Sequence, residues 1–393
     1  NPNVNTAGNV SIGTNGSVTK GTGTWTFDGT GTNTWTDSST ASGQDIGAVS
    51  INGTTKTINL ASSVKATSVN VATGQTLGLG SSSYTLTLTG SGTGASRPFI
   101  VSGTLNEGTG GDLAGTGSTV RFSGTSNTEI EAETYNSLDL SPSGAGSPIY
   151  TLGTAISQTI TVGATLGVGD GTNAVTIQWD TYDPALNVGR WLYLSNNATW
   201  TKSASATLTF NGSDSHTWAD NNTTKQDMGN VTVNGTAKTI STTTNVTVTT
   251  LTIGADDILN ISNDTLTITG TGTPFTKTAG GTFTTTSSTV VYTGTTTATN
   301  ITTTAYNNLT LTPTAATTYS LTGNLTGTNA LTGNLTISAN ATLDTRPATT
   351  DYSIKCVGLT INGTLDASGS ASNINTSGNV SIGSAGVFTQ GTG

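Results

Sequence analysis

The sequence predicts an all-β protein, and among all-β folds it favours a parallel β-solenoid with internal repeats. Apolar residues occur in pairs spaced by two, and the pairs recur about every nine residues, which is the pattern of short strands separated by turns. The composition agrees, because Thr, Val and Ile favour strands, 51 glycines punctuate the chain and only 8% of the residues are charged. Long segments of the sequence also recur, which is typical of repeat architectures.

The longest recurrence connects the two ends of the sequence. Residues 5–13 return at 375–383, which is 370 positions later, and residues 21–23 return at 391–393. A sequence that returns to its own opening is typical of a repeating polypeptide. We therefore expect neither end to be a true end, and we expect a longer filament.

A shorter recurrence lies inside the long one. Residues 52–58 return at 234–240, and the equivalent positions that we interpret as structural are Trp35 and Trp218, Asn52 and Asn234, and Tyr135 and Tyr306. The displacement falls from 183 for the Trp pair to 171 for the Tyr pair, so we expect insertions in loops between matched strands. The predicted organisation is one continuous solenoid with module 1 at residues 1–190, module 2 at 191–378 and the start of the next repeat at 379–393.

The predicted strands follow from the apolar pairs. Val49 with Ile51, and later Leu86 with Leu88, have the two-residue spacing that places both side chains on one face of a strand. Gly and Asn clusters such as residues 52–53 supply the turns. Tandem β-sandwich domains are the alternative architecture. The solenoid is favoured because each strand offers only about two apolar side chains, which suits coils that stack on their neighbours.

Composition excludes several classes of function. The formal net charge is −9, and the 12 Lys and Arg residues form no patch, so we expect no nucleic-acid partner. No stretch approaches the roughly 20 apolar residues of a membrane helix, so we expect no membrane insertion. The single cysteine, Cys356, rules out a disulfide within the chain and is expected to be a small buried apolar side chain.

Three lines of the sequence resemble a known class of protein. Residues 24–30 (Thr-Trp-Thr-Phe-Asp-Gly-Thr), 44–47 (Gln-Asp-Ile-Gly) and 84–90 (Tyr-Thr-Leu-Thr-Leu-Thr-Gly) are similar to the β-helical repeats of very large bacterial surface proteins. Filamentous adhesins and autotransporter passengers have repeats of similar composition. The resemblance implies a right-handed β-helix that is displayed outside the cell.

Residues suited to catalysis or metal binding are few and isolated. His216 is the only histidine, and we interpret it as a surface turn residue, since module 1 has Asn33 at the equivalent position. Glu129, Glu131 and Glu133 are spaced by two and predict a solvated strand face. We predict no catalytic, cofactor-binding or metal-binding residue, no cofactor, and no enzymatic activity.

Three further sequence features could contribute to surface recognition: the paired tryptophans, the Thr-x-Thr strings and the candidate glycosylation sites. The paired tryptophans are expected to pack in or over turns rather than to stack on sugars. Thr-x-Thr strings resemble those of ice-binding solenoids, but loops of drifting length are expected to spoil a flat lattice. Asn-x-Thr sites at Asn52, Asn234 and Asn362 are candidate glycan acceptors in a secreted context.

These observations predict a structural protein. We expect an extracellular or cell-surface fibre, filament or stalk segment that joins copies of itself or flanking repeats end to end. An adhesin or carbohydrate-binding shaft, with cell-surface or matrix polysaccharide as its partner, is the alternative. A polysaccharide-degrading enzyme on a β-helix and an ice-binding solenoid are less favoured. Aromatic side chains along an exposed face would favour the adhesin.

Overall fold

A computed structural model describes residues 2–39, 43–79, 84–92, 96–106, 119–295, 298–368 and 371–391. Thr392 and Gly393, which close the long recurrence, lie outside the described residues. The fold is almost entirely β, with parallel sheets stacked as a β-solenoid of about 15 turns. This confirms the predicted fold class, and the parallel pairing excludes the β-sandwich alternative.

The chain divides into two compact units. The first comprises residues 1–206 and 221–223, and the second comprises 207–220 and 224–393. A unit is defined by contacts, whereas the predicted modules are defined by sequence recurrence. The module boundary at residues 190–191 therefore stays a prediction.

The described strands of the first unit are mostly three to five residues long. They are β1 (Val4–Thr6), β2 (Val10–Ile12), β3 (Thr24–Phe27), β4 (Gly31–Asp37), β5 (Ala48–Ile51), β6 (Lys56–Leu60), β7 (Val64–Ala66), β8 (Ser68–Val71), β9 (Thr76–Gly78), β10 (Thr85–Leu88), β11 (Phe99–Val101), β12 (Thr104–Asn106), β13 (Thr119–Phe122), β14 (Thr128–Ile130), β15 (Thr134–Tyr135), β16 (Ser137–Leu140), β17 (Ile149–Leu152), β18 (Thr159–Val162), β19 (Thr165–Val168), β20 (Val175–Gln178), β21 (Ala185–Val188), β22 (Trp191–Leu194) and β23 (Ala198–Thr201).

The described part of the second unit also consists mainly of short strands, with a short 3-10 helix at Gly327–Asn329. Its strands are β24 (Thr207–Phe210), β25 (Ser213–Asp220), β26 (Asn230–Val233), β27 (Thr236–Thr242), β28 (Val246–Val248), β29 (Thr250–Ile253), β30 (Ile258–Asn260), β31 (Thr265–Ile268), β32 (Phe275–Lys277), β33 (Thr282–Thr284), β34 (Thr289–Tyr292), β35 (Thr299–Ile301), β36 (Asn308–Leu311), β37 (Thr317–Leu321), β38 (Leu335–Ile337), β39 (Ala341–Asp344), β40 (Ile354–Cys356), β41 (Leu359–Ile361), β42 (Thr364–Asp366), β43 (Ile374–Thr376), β44 (Val380–Ile382) and β45 (Val387–Thr389).

Strands that pair are separated in sequence by about one coil. In the first unit the strand orders are β1-β3-β5-β8-β11, β2-β4-β6-β9-β12, β7-β10-β13-β16-β19-β22, β14-β17-β20-β23 and β15-β18-β21. In the second unit they are β24-β26-β29-β32, β25-β27-β30-β33, β28-β31-β34-β36-β38-β41-β44, β35-β37-β39-β42-β45 and β40-β43. Each coil therefore stacks on its neighbours, as a solenoid requires.

The core consists of side chains stacked in register. One column of the first unit runs from Leu86 in β10 through Val120, Leu138 and Leu166 to Leu192 in β22. All five side chains are buried, and the residues between them in each strand point outward. Alternation with a period of two produces this arrangement, because successive side chains leave opposite faces of a strand.

The inward positions predicted for the two modules agree with the structure. Val49 and Ile51 in the first unit are buried, and so are their predicted equivalents Val231 and Val233 in the second. Ile58 in the first unit and its predicted equivalent Ile240 in the second are also both buried. This confirms the strand alignment at these positions. Among the described residues, no helix is long and apolar enough to cross a membrane.

Candidate functional site

The two predicted tryptophan positions have equivalent surroundings in their own units. Trp35 in β4 and Trp218 in β25 are fully buried. The ring centroid of Trp35 lies 6.1 Å from that of Phe27, the ring centroid of Trp218 lies 5.6 Å from that of Phe210, and both ring pairs are tilted by 44°. Both indoles pack in the core from strands rather than over turns, so neither presents a face on which a sugar could stack.

The two predicted tyrosines also match. The buried Tyr135 hydroxyl donates to the carbonyl oxygen of Glu131 at 2.7 Å, and the Tyr306 hydroxyl donates to that of Thr302 at 2.8 Å. In both cases the acceptor lies four residues earlier. Each hydroxyl satisfies a backbone oxygen inside the fold, which is a structural role.

Sequence reasoning missed a second tyrosine pair. Tyr150 donates to the carbonyl oxygen of Gly124 at 2.9 Å, and Tyr319 donates to that of Gly294 at 3.0 Å. Both tyrosines are fully buried. Their displacement of 169 residues is close to that of the Tyr135 pair, and this similarity was the available signal.

The paired asparagines open equivalent turns. Asn52, Asn234 and the third candidate glycan acceptor, Asn362, are all exposed. The residue after the first two must be glycine, because a Cβ at Gly53 or Gly235 would lie 2.2 or 2.0 Å from a carbonyl oxygen of the preceding coil. The three asparagines are accessible, and their glycosylation stays a prediction.

A buried lysine follows each of these turns. Lys56 and Lys238 are fully buried at equivalent positions. The Lys56 ammonium donates to the carbonyl oxygen of Ala7 and to Oδ1 of Asn33, both at 2.5 Å, and the Lys238 ammonium donates to the carbonyl oxygen of Ser213 at 3.1 Å. Buried ammonium groups need such acceptors. These lysines therefore have a structural role, because their ammonium groups bind oxygen atoms inside the fold next to the turns.

The interpretation of His216 as a surface turn residue is wrong. His216 lies within β25 and is 4% exposed. It stands two residues before the buried Trp218, and strand alternation places both side chains on the same face. The spacing from Trp218 was the signal that could have placed it. Cys356 lies buried in β40, where burial raises the pKa of its thiol.

The expectation of a solvated glutamate face is also wrong. Only Glu129 lies in a strand, β14, and Glu131 is buried beyond its end. Nε of Arg97 donates to Oε2 of Glu131 at 2.6 Å. Burial raises the pKa of the Glu133 carboxyl, and the nearby Glu131 carboxylate raises it further. Arg97 lies 34 residues before Glu131, and no spacing pattern within a strand connects the two residues.

An open groove lies on the outer face of the first unit. It has a volume of about 1150 Å³ and crosses β7, β10, β13, β16 and β19. Two columns of outward side chains form much of its floor. The first column is Ser63, Thr85, Thr119, Ser137 and Thr165, and the second, which we call the central column, is Lys65, Thr87, Arg121, Asp139 and Gly167.

Two aromatic side chains lie next to the groove, on β22, which pairs with β19. Tyr193 in β22 continues the central column, since it pairs in register with Gly167. Tyr193 is 39% exposed, and the partly exposed Trp191 lies on the same face two residues earlier. The Arg190 guanidinium carbon lies 5.9 Å from the Trp191 ring centroid, a cation–π distance. Gly167, the position before Tyr193 in the column, has no side chain, and a Cβ there would lie 3.8 Å from its nearest neighbour, Oδ1 of Asp139.

Charges of both signs line the groove. Nε of Arg121 donates to Oδ2 of Asp139 at 2.6 Å, and the Ser141 hydroxyl also donates to the Asp139 carboxylate. Lys65 adds a cation, and Asp170 adds a carboxylate whose pKa is lowered, chiefly by the backbone N–H of Asn173. Asp37 adds a third carboxylate, so the groove has one more acidic than basic side chain and is rich in hydrogen-bonding groups.

The second unit carries the equivalent column without this chemistry. Its inward leucines and valines match those of the first unit, and its outward residues in register are Thr247, Thr267, Val291, Thr310, Thr336 and Thr360. Val291 interrupts the rank of hydroxyls. An ice-binding solenoid stays the less favoured alternative that the sequence left open.

Comparison with known proteins adds no assignment: no protein-family model, curated protein or solved structure matches the chain. Within the described part of the chain, no group of three or more His, Cys, Asp or Glu residues is arranged to hold a metal ion. The candidate site therefore rests on the groove itself.

Proposed function

We propose that the chain is a structural segment of an extracellular fibre or stalk, whose last coil joins another solenoid coil end to end. Its role is mechanical, and we propose no catalytic activity. The extracellular setting is supported by the resemblance of residues 24–30, 44–47 and 84–90 to bacterial surface repeats. The end-to-end contact is supported by exposed apolar side chains of β44 in the second unit.

The observation that carries this proposal is a difference between equivalent residues. Val10 and Ile12 in β2 are 8% and 7% exposed, and β4, the next strand of the sheet along the chain, pairs with β2. Their counterparts in the long recurrence, Val380 and Ile382 in β44, are 54% and 51% exposed. Exposure of apolar side chains to water is unfavourable, by about 25 cal/mol per Å² of apolar surface. A further coil, from a second copy or from a flanking repeat, would cover them and pair with β44 as β4 pairs with β2.

Analytical ultracentrifugation of the chain at rising concentration tests the proposal. We expect association that disappears in a double variant, Val380→Asp with Ile382→Asp. The matched control is Ser381→Asp, which adds a charge to the exposed residue between them. A chain that stays monomeric at every concentration, or a control that dissociates as the double variant does, would contradict end-to-end association.

An adhesive or carbohydrate-binding shaft is the second candidate. The groove beside Tyr193 favours it, because an exposed aromatic side chain next to hydrogen-bonding groups suits a sugar ring. The two functions are compatible, since one uses the end of the solenoid and the other uses a lateral face.

A further inference from the structure

We infer that the groove of the first unit is a binding site for a neutral polysaccharide, which lies lengthwise across β7, β10, β13, β16, β19 and β22. This inference rests on the second candidate function above and does not depend on end-to-end association. It specifies the face, the residues and the class of ligand.

The central column is not required by the fold. The stacked inward residues Leu86, Val120 and Leu138 have counterparts Leu266, Val290 and Leu309 in the second unit, all of them buried. The second unit has the same buried core, although its outward residues equivalent to the central column and Tyr193 are all Thr or Val. The solenoid therefore forms without the charged and aromatic residues of the first unit, and these residues are available for recognition.

The residues present suit a hydroxyl-rich ligand. The Arg121–Asp139 pair offers donors and acceptors side by side, and the Thr and Ser hydroxyls of the neighbouring column both donate and accept. Tyr193 offers a partly exposed ring at the end of the column. Small-molecule sites commonly combine such a platform with a few placed polar groups.

Charge selects a neutral polymer. The cations Lys65 and Arg121 share the groove with three carboxylates, those of Asp37, Asp139 and Asp170, so the groove carries no excess of positive charge. Phosphate-rich polymers need an excess of cations, which this face lacks. A neutral polysaccharide presents hydroxyl groups along its whole length and needs no such excess.

The geometry also sets the direction of the ligand. Six strands at about 4.8 Å spacing give the site a length of roughly 24 Å. Because the columns repeat at every strand, the same kinds of hydrogen-bonding group recur along this length. An extended chain of sugar units lying across the strands can use them successively, whereas a single monosaccharide would contact only one or two strands. We therefore expect affinity to increase with chain length.

Isothermal titration calorimetry with soluble neutral polysaccharides (a xylan, a galactomannan and a mixed-linkage glucan) tests the inference, with polygalacturonate as the acidic probe. Gly167→Leu adds a side chain to the groove at the position before Tyr193 in the column. The matched control is Gly163→Leu, outside the groove, because a Cβ at either glycine has ordinary room, with its nearest neighbour at 3.8 or 3.7 Å. A second variant installs the sister column: Lys65→Thr, Arg121→Val, Asp139→Thr, Gly167→Thr and Tyr193→Thr.

We expect the unmodified chain to bind at least one neutral polysaccharide. Binding should weaken about tenfold or more in Gly167→Leu and in the sister-column variant, and should be unchanged in Gly163→Leu. Circular dichroism should show all variants folded. Absence of neutral-polysaccharide binding, or equal binding by Gly167→Leu, overturns the inference. Binding to polygalacturonate alone, with loss in Lys65→Ala, overturns the neutral assignment. Titrations use concentrations at which the chain sediments as a monomer, so failure of fibre association does not affect the result.

Discussion

Two adjacent residues in one strand provide a direct test of the inward and outward faces. Leu86 and Thr87 follow each other in β10. Leu86 is fully buried between Val64 and Val120, whereas Thr87 faces outward between Lys65 and Arg121. We compare Leu86→Asp with Thr87→Asp, which introduce the same side chain on opposite faces.

The expected cost follows from these surroundings. Leu86→Asp forfeits about 1.5–3 kcal/mol of apolar burial. It also places a carboxyl group among apolar neighbours without a hydrogen-bond partner, at about 1–3 kcal/mol. The free energy of local opening should therefore fall by about 3–6 kcal/mol. Thr87→Asp should change it by no more than about 0.5 kcal/mol, because the new carboxylate is solvated and lies between two cations.

Limited proteolysis measures the difference, because coils of a solenoid contact only their neighbours and can open locally. Each 1.4 kcal/mol changes the open population about tenfold, so cleavage near β10 should be at least about 100-fold faster in Leu86→Asp. Thr87→Asp should be cleaved at the rate of the unmodified chain. Equal sensitivity of the two variants would refute the assignment of the faces, and with it the placement of the central column.

Three further predictions use buried polar groups. Cys356 should react with a thiol reagent only after denaturation, since it is buried and burial raises its pKa; rapid labelling of the native chain would contradict this. Burial raises the pKa of Tyr292 to about 12, so stability present below the unfolded phenol pKa of about 10 should be lost as the pH rises above it. Phenolate absorbance should show this tyrosine ionising only with unfolding, and a single transition near pH 10 in the folded chain would argue against it. Lys56→Met should lower the free energy of unfolding by about 1–3 kcal/mol, because the Ala7 carbonyl and the Asn33 amide oxygen lose their donor. Thermal unfolding should show little change for the control Lys65→Met, and equal effects would contradict the structural role of Lys56.

The sequence was sufficient for the core because burial imposes a pattern on it. Residues such as Val49, Ile51 and Ile58 must recur on one face if each coil is to stack on the next, so their spacing identifies the fold. His216 was misplaced because its counterpart in module 1, the polar Asn33, suggested an exposed turn, whereas both residues lie in strands. Its two-residue spacing from Trp218 carried the correct information.

The groove could not be predicted, because it depends on which outward residues align between coils. Thr87 and Arg121 are neighbours across strands although 34 residues separate them, while Arg121 and Asp139 are separated by 18. These intervals reflect loops of unequal length, which alternation within a strand does not constrain. The pairing of Arg97 with Glu131 escaped prediction for the same reason.

The comparison of the two units separates what holds the solenoid together from what its surface can do. Features shared by both units face inward: the Trp–Phe pairs, the tyrosine hydroxyls bound to backbone oxygens, and the buried lysines behind the turns. The central column differs between the units although its inward neighbours match. Outward residues on a strand add little to stability beyond their strand preference, so a change there costs the fold little. A column that carries charged and aromatic side chains in one unit alone is therefore where a binding function is most readily accommodated, and the Lys65–Tyr193 face meets that condition.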